Sequence, residues 1–504
     1  MGKRPFRTFP AKRPMRTFFP CFPICLLGIC LVSACSSTRR TEHFYAHTLC
    51  REIEHSPVFA QSFTGFTLLD PETGRLLCDV NGGQHFTPAS CTKILTLATC
   101  LEVLKDSVPR LRYYPVPEGS THDNFFYLGW IVAGAGDPTF FHPKFQAWQT
   151  TTLEDLKKNG LIGIVRSPQK INRLGAGWAW DDYSEGYSPE LSELPLYGNV
   201  TQLTKIGYGW QITPTWYQRF LETRDNLLDE KNIFRQEQGD TISLPNYSED
   251  IFAPGFSKTI PVWQANDKAH RLLLDTLAKI INRPLEVKEG DVGDSWRTYY
   301  ATPLDTVLRR MMYQSDNFIA EQLLLACAGV KYDTLRQDKI IQWAKDSLFS
   351  PPITRQSSSS LPPSPGKSYG GQGHRRVKQS TNQLVNQSPR WVDGSGLSRY
   401  NLVSPRYLTN VLWKLWQEQP HDRLLSLFPT TGAPETTLSW WEPIPAVPWL
   451  FAKTGSMGGV VCISGYLRTR RGKTLIFSFM NNNFVGSAKP WRLEMRRILE
   501  LVAG

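Results

Sequence analysis

Ser90 and Lys93 lie three positions apart in "TPASCTKILTLATCLEVL", residues 87–104, where an apolar run with helical spacing begins. One helical turn apart, the two side chains share a face and can come within hydrogen-bonding reach. A serine hydroxyl is a weak nucleophile until a base takes its proton, and a lysine supplies that base once its ammonium is destabilised. Burial, the positive end of a helix and a second nearby cation all push a lysine in that direction. Taken alone, the plainer reading is a helix N-cap followed by a surface charge, because Ser is a favoured N-cap residue. The same S-x-x-K spacing recurs at Ser167/Lys170 and Ser364/Lys367, but there proline follows the serine and no long apolar helix begins.

Two further polar groups bear on the choice. Ser315-Asp316-Asn317 interrupts two strongly apolar helical runs; by itself it reads as a helix break with an N-cap, and Ser380-Thr381-Asn382 is a decoy in a low-complexity stretch. Lys453-Thr454-Gly455-Ser456 occurs once, at the end of a candidate strand, where a surface lysine in a turn is its plain explanation. Each short pattern is weak singly. The order Ser-Lys, Ser-Asn, Lys-Thr-Gly, with each group in a helix, loop or strand setting, is far more specific.

The elements that must position these groups follow from periodicity. "SFTGFTLLDPETGRLLCDV" alternates apolar and polar residues around a Pro/Gly turn and predicts a β-hairpin. The helix at Ser90 comes next, with Ile94, Leu95, Leu97, Ala98, Leu101 and Leu104 at core-facing spacing. From 106 to 295 the chain is aromatic and Gly/Pro-rich with few long helical periods, which predicts a strand-rich insertion. Helical patterns return at "TPLDTVLRRMMYQSDNFIAEQLLLACAG", and residues 349–389 form a low-complexity stretch expected to be a flexible surface loop. Two or three strands around "TRRGK" and a final amphipathic helix, "KPWRLEMRRILELVA", close the chain.

At 504 residues the chain exceeds one ordinary core, and about 100–200 residues per domain suggests two to four. Its 41% hydrophobic and 20% charged residues read as globular. Of the formal +12 charge, six units sit in residues 1–34 (Lys3, Arg4, Arg7, Lys12, Arg13, Arg16), which hold no acid. What remains is a mild excess without a basic stripe, so no nucleic-acid partner is expected.

The basic segment leads into "FFPCFPICLLGICLVSA" and then polar "SSTRR", a secretory signal rather than a spanning helix. Met15 is an alternative start that gives a more usual leader length. Val32-Ser33-Ala34-Cys35 resembles a bacterial lipobox, which predicts a signal peptide at 1–34, lipidation of Cys35 and a polar tether over 35–55; an ordinary signal peptide or an uncleaved anchor is the alternative. Six cysteines remain beyond the leader and Cys35: Cys50, Cys78, Cys91, Cys100, Cys327 and Cys462. Their spacing matches no zinc site and leaves pairing open, with buried thiols the default in apolar contexts.

The three motifs resemble those of the penicillin-recognising serine enzymes. The segments around them resemble the D-Ala-D-Ala carboxypeptidase/endopeptidase family of low-molecular-mass class C penicillin-binding proteins: "SDNFIAEQLL", "DGSGLSRYNLVSPRYL", "AKTGSMGGVVCISGYLRTRRGKTLIFSFMNNN", "GAGDPTF" at 134–140 and "GWAWDDYSEGY" at 177–187. The resemblance covers most of residues 55–504. It implies an α+β fold: a penicillin-binding domain split between 45–105 and 296–504, with about five antiparallel strands flanked by helices, and a large, mostly β insertion at 106–295.

By the same resemblance, Ser90 attacks the carbonyl between two D-alanines to form an acyl-enzyme and Lys93 takes its proton. Ser315 relays that proton to the leaving amine, and Asn317 bonds a substrate amide or orders Lys93. Lys453, Thr454 and Ser456 hold the terminal carboxylate, while the backbone N–H groups of Ser90 and Ser456 hold the oxyanion. Trp180, Asp182 and Tyr187 contact the substrate's peptide side chain, or form a structural aromatic cluster. Cys91, next to the nucleophile, is read as packing. No metal or cofactor is implied. The expected partners are peptidoglycan peptides and β-lactam antibiotics, with the enzyme anchored through Cys35 and facing the periplasm. Ser36 after Cys35 favours the outer membrane. Two rivals share the motifs, a β-lactamase-like hydrolase and an inactive peptidoglycan-binding lipoprotein. The large insertion argues against so compact an enzyme as the former, and the complete set of hydroxyl, amine and amide groups disfavours the latter.

Overall fold

The computed structural model describes residues 48–504 apart from 123–124, 208, 225–232, 246–251, 253–254, 282–284, 291–294, 350–387, 432, 434–435, 439–440 and 442–447. The leader, Cys35, the tether up to residue 47, nearly all of the 349–389 stretch and the decoys at Ser364 and Ser380 lie outside the described residues. Among those described, no helix is long and apolar enough to cross a membrane.

Strands β1 (Phe63–Asp70) and β2 (Arg75–Val80) form the hairpin, and a short 3-10 turn at Ala89–Thr92 leads into α1 (Lys93–Val103). The insertion follows as β3 (Ser107–His122), β4 (Phe125–Gly134), α2 (Gln149–Lys158), β5 (Leu161–Arg166), α3 (Ala265–Ile281), β6 (Glu286–Glu289) and β7 (Arg297–Pro303). The chain returns through α4 (Leu304–Tyr313), α5 (Asn317–Tyr332), α6 (Gln337–Trp343) and α7 (Pro405–Glu418). It ends with β8 (Leu450–Met457), β9 (Val460–Arg468), β10 (Thr474–Asn482) and α8 (Lys489–Ala503).

The N-terminal hairpin completes a sheet begun by the C-terminal strands, in the order β8-β9-β10-β1-β2 and antiparallel throughout. Both faces are covered, so β1 is buried at every position after Phe63 instead of alternating. In β10, Ile476 and Met480 turn to a helical core shared with α1, α5 and α7. Phe477 and Phe479 turn the other way, where Phe479 meets Phe59 and Phe66 at ring distances of 5.1 and 4.8 Å. α8 packs against β9, and the Trp491 indole N–H donates to Ser62 Oγ at 2.9 Å. α1 is buried from Lys93 to Leu101 and α5 from Phe318 to Ala328, which is why both are apolar around nearly their whole circumference. Cys50 and Cys78 form a disulfide, while Cys91, Cys100, Cys327 and Cys462 are buried thiols.

The insertion is mostly β. Its main sheet runs β6-β5-β4-β3-β7, with β4, β5 and β6 parallel, and Val200–Ile206, Gly209–Thr213 and Ser257–Pro261 make a second, antiparallel sheet. Parallel neighbours need crossover connections, and α2 lies between β4 and β5 as α3 lies between β5 and β6. Neither helix was read from the sequence. β7 pairs with β3, so the insertion's sheet takes in residues beyond 295 and the chain re-enters the helical core at Leu304.

The "GAGDPTF" segment is a structural clasp. Arg110, fully buried, donates through Nε to Asp137 Oδ2 at 2.8 Å, and through its two terminal nitrogens to Trp148 O, Thr152, Thr139 and Thr302. Gln322 of α5 joins the insertion to the helical core by bonding Gly136 O, Ser192 O and Ser192 N.

Candidate active site

Close backbone approach sets the frame. β8 is the edge strand of its sheet and runs past the turn that carries Ser90. A Cβ on Gly455 would stand 2.5 Å from Pro88 O and 3.0 Å from the backbone nitrogens of Ser90 and Cys91, so only glycine fits there. Gly396 meets the same turn from another side: its φ is +81°, and a Cβ would stand 1.8 Å from Ala89 O.

Ser90 is half-buried at the entrance to α1, and Lys93 is completely buried below it. Lys93 Nζ donates to Ser90 Oγ at 3.1 Å, Asn317 Oδ1 at 2.7 Å and Ser395 O at 2.7 Å. Three acceptors satisfy an ammonium; loss of one proton leaves a lone pair that the Ser90 hydroxyl can then address as donor. Burial pushes the Lys93 amine down to about 8, against the opposing fields of Glu321, Asp393 and Asp316.

Ser315 sits at φ +55°, a left-handed conformation unusual for a residue with a side chain. Lys453 Nζ donates to Ser315 Oγ at 2.9 Å and to Thr454 O at 2.7 Å. Lys453 is also fully buried, and burial together with the Lys93 charge pushes it down to about 7. Asp316 caps α5 by accepting from Ile319 N at 3.1 Å. That cap aims Asn317 at Lys93 on one side and at Tyr187 O on the other, 2.9 Å from its Nδ2.

Beneath Lys93 lies a carboxylate layer that the sequence reading did not assign. Glu321, one turn along α5, accepts from Ser395 N at 2.8 Å, Gly394 N at 3.0 Å and Gln337 Nε2 at 2.7 Å. Asp393 accepts from Gly396 N, Ser398 N, Asn401 Nδ2 and Trp178 Nε1. Burial raises both carboxyl groups, and for Glu321 the proximity of Asp393 adds to it. Together they shape the 393–398 turn that presents Ser395 O to Lys93. The signal was present in "SDNFIAEQLL" and "DGSGLSRY", where each acid lies among the motif residues.

The structure thus joins Ser90 and Asn317 to Lys93, and Ser315 to Lys453, by direct hydrogen bonds. Thr454 is half-buried and Ser456 exposed, both farther along β8. Ser456 Oγ accepts from Arg492 Nη2 of α8 at 3.3 Å, a partner absent from the sequence reading. Tyr187 donates to Asp182 at 2.6 Å and reaches the cluster through its carbonyl, whereas Trp180 is 74% exposed and therefore no part of a buried aromatic cluster. The Cys91 thiol is buried against Lys453 O, and burial raises it to about 11, which fits packing.

The profile of the D-Ala-D-Ala carboxypeptidase 3 (S13) family matches residues 46–348 and 375–499. The chain is 22% identical over 465 residues to the D-alanyl-D-alanine carboxypeptidase DacB of Haemophilus influenzae, covering 84% of this chain and 86% of that protein. The crystal structure of penicillin binding protein 4 (dacB) from Haemophilus influenzae superposes with a TM-score of 0.64 at 19% identity, covering 91% of this chain and 99% of that one. The same protein complexed with a novel β-lactam superposes at 0.59 with the same identity and coverage.

Proposed function

Because this chain belongs to the D-Ala-D-Ala carboxypeptidase 3 (S13) family, we propose that its Ser90–Lys93 pair cleaves the terminal D-Ala-D-Ala bond of peptidoglycan stem peptides through an acyl-enzyme. Neutral Lys93 takes the Ser90 proton as Oγ attacks the penultimate D-alanine carbonyl. The oxyanion develops between the Ser90 and Ser456 backbone N–H groups, each typically worth about 3 kcal/mol. As the C–N bond breaks, the Ser315 hydroxyl passes a proton to the departing amine and is resupplied from the Lys453 or Lys93 amine. Water then attacks the ester, returning Ser90 and releasing the shortened peptide. An endopeptidase reaction differs only in the leaving amine, which then belongs to a neighbouring stem peptide. A β-lactam carbonyl enters the same first step and stays attached. Trp180, Asp182 and Tyr187 contact the stem peptide's side chain.

The observation that carries this reading is the 3.1 Å contact of a fully buried lysine amine with Ser90 Oγ. Intact-mass spectrometry after benzylpenicillin treatment tests it. One adduct is expected, absent from Ser90→Ala; an unlabelled wild type would sink the acyl-enzyme reading, and rapid release of hydrolysed drug would favour a β-lactamase. The exported location is part of the same proposal. It is supported by the basic-apolar leader and by Val32-Ser33-Ala34-Cys35, and it places the enzyme in the periplasm, lipid-anchored at Cys35 to the outer membrane. Metabolic labelling with a fatty-acid probe, lost in Cys35→Ser, is the expected outcome.

A further inference from the structure

We propose that Arg492 is a specificity-determining residue: through Ser456 it selects substrates that end in a free carboxylate. This inference rests on the reading of the outer end of β8 as the place where that carboxylate binds. Arg492 Nη2 donates to Ser456 Oγ at 3.3 Å. A hydroxyl can accept one bond while donating another, so this contact aims the Ser456 hydrogen away from the guanidinium and toward an incoming acceptor.

A carboxylate at this end needs a cation, and Lys453 is turned from the task. Its side chain is buried and commits donors to Ser315 Oγ and Thr454 O, beside the reacting atoms. Burial and Lys93 also weaken its hold on a proton. Arginine stays protonated throughout the working pH range and presents a planar fork matched to a carboxylate. Its backbone is also fixed. The preceding Trp491 is buried, stacks on Phe484 at 4.0 Å between ring centres and bonds Ser62, so the guanidinium projects from an anchored turn of α8.

The test compares two peptides that differ only in ending as D-alanyl-D-alanine or D-alanyl-D-alaninamide. Wild-type enzyme is expected to favour the free acid, and Arg492→Gln to lose about tenfold in that preference, through KM rather than kcat. Arg492→Lys should regain part of it, and added salt should erode the wild-type preference more than the variant's. Equal loss on both peptides in Arg492→Gln, or unchanged preference, would overturn the proposal; the first outcome would mark Arg492 as a structural contact of α8. A wild-type enzyme that cleaves neither peptide and takes up no penicillin would instead overturn the reading of the site, and the role of Arg492 with it.

Discussion

Lys453 Nζ lies 2.9 Å from Ser315 Oγ, across 138 positions of sequence. The site therefore holds two serine–lysine pairs, since Lys93 stands 3.1 Å from Ser90 Oγ. In each, a buried amine addresses a hydroxyl, and Asn317 orients the first amine from the first position of α5, two residues beyond the second hydroxyl. In the proposed mechanism the two pairs divide the labour: one removes a proton from the nucleophile, and the other is placed to give one to the leaving group.

Acylation should follow the deprotonation of Lys93. The amine is held near 8, below its ordinary 10.5, so it is mostly charged at pH 6 and mostly neutral at pH 9. The second-order rate of penicillin acylation is expected to rise about tenfold per pH unit below 8 and to level off above it. Stopped-flow measurement across pH 5.5–9.5 checks this; a rate that falls through pH 8 would mean that the ammonium form is the active one. Lys93→Met should slow acylation by roughly a thousandfold.

Gly455→Ala should separate catalysis from folding. The added methyl meets Pro88 O and the Ser90 nitrogen, so β8 must back away from the nucleophile turn. A shift approaching 1 Å at a reacting site costs about a hundredfold in rate. The thermal midpoint should move little, because β8 is an edge strand whose pairing with β9 survives. Acylation at the wild-type rate would refute the close approach.

How much of this was legible depended on where the information lay. Ser90, Lys93, Ser315, Asn317 and Lys453 were readable because their chemistry needs fixed types at short local spacings. Glu321, Asp393 and Arg492 were not assigned, because their roles exist only once α5, the 393–398 turn and α8 converge on the motifs. The final helix was readable from its periodicity, and the hairpin from two apolar-rich runs around a Pro/Gly turn, although β1 is buried on both faces. In α3, Ala265, Ala269, Leu273 and Leu277 recur every four residues and are buried, a signal lost against the aromatic, Gly/Pro-rich surroundings.

Asp137→Ala should destabilise the fold without touching the chemistry. It leaves the fully buried Arg110 guanidinium without its carboxylate, and breaking such a pair costs about 3–5 kcal/mol. Urea unfolding should show that loss, while the penicillin acylation rate per folded molecule stays near wild type. Replacing both residues by apolar ones should recover part of the stability. A rate loss as large as that of Lys93→Met would give "GAGDPTF" a direct part in catalysis.

Glu321→Gln tests the layer under Lys93. Glu321 accepts three N–H donors, from Gly394, Ser395 and Gln337; an amide can offer only one oxygen, so at least one donor faces its NH2 group. The 393–398 turn should loosen and Lys93 should lose the firm Ser395 O acceptor. Two effects on the amine then act in one direction. Loss of an acceptor and loss of the Glu321 field, which opposes the fall in the Lys93 value, both destabilise the ammonium. The rising limb of acylation is therefore expected at lower pH than in wild type, while the plateau rate drops about 10- to 100-fold because the nucleophile's base is less well held. A limb shifted to higher pH would show that Glu321 does not act as a negative charge on Lys93. An unmoved limb with a lowered plateau would reduce its role to shaping the turn.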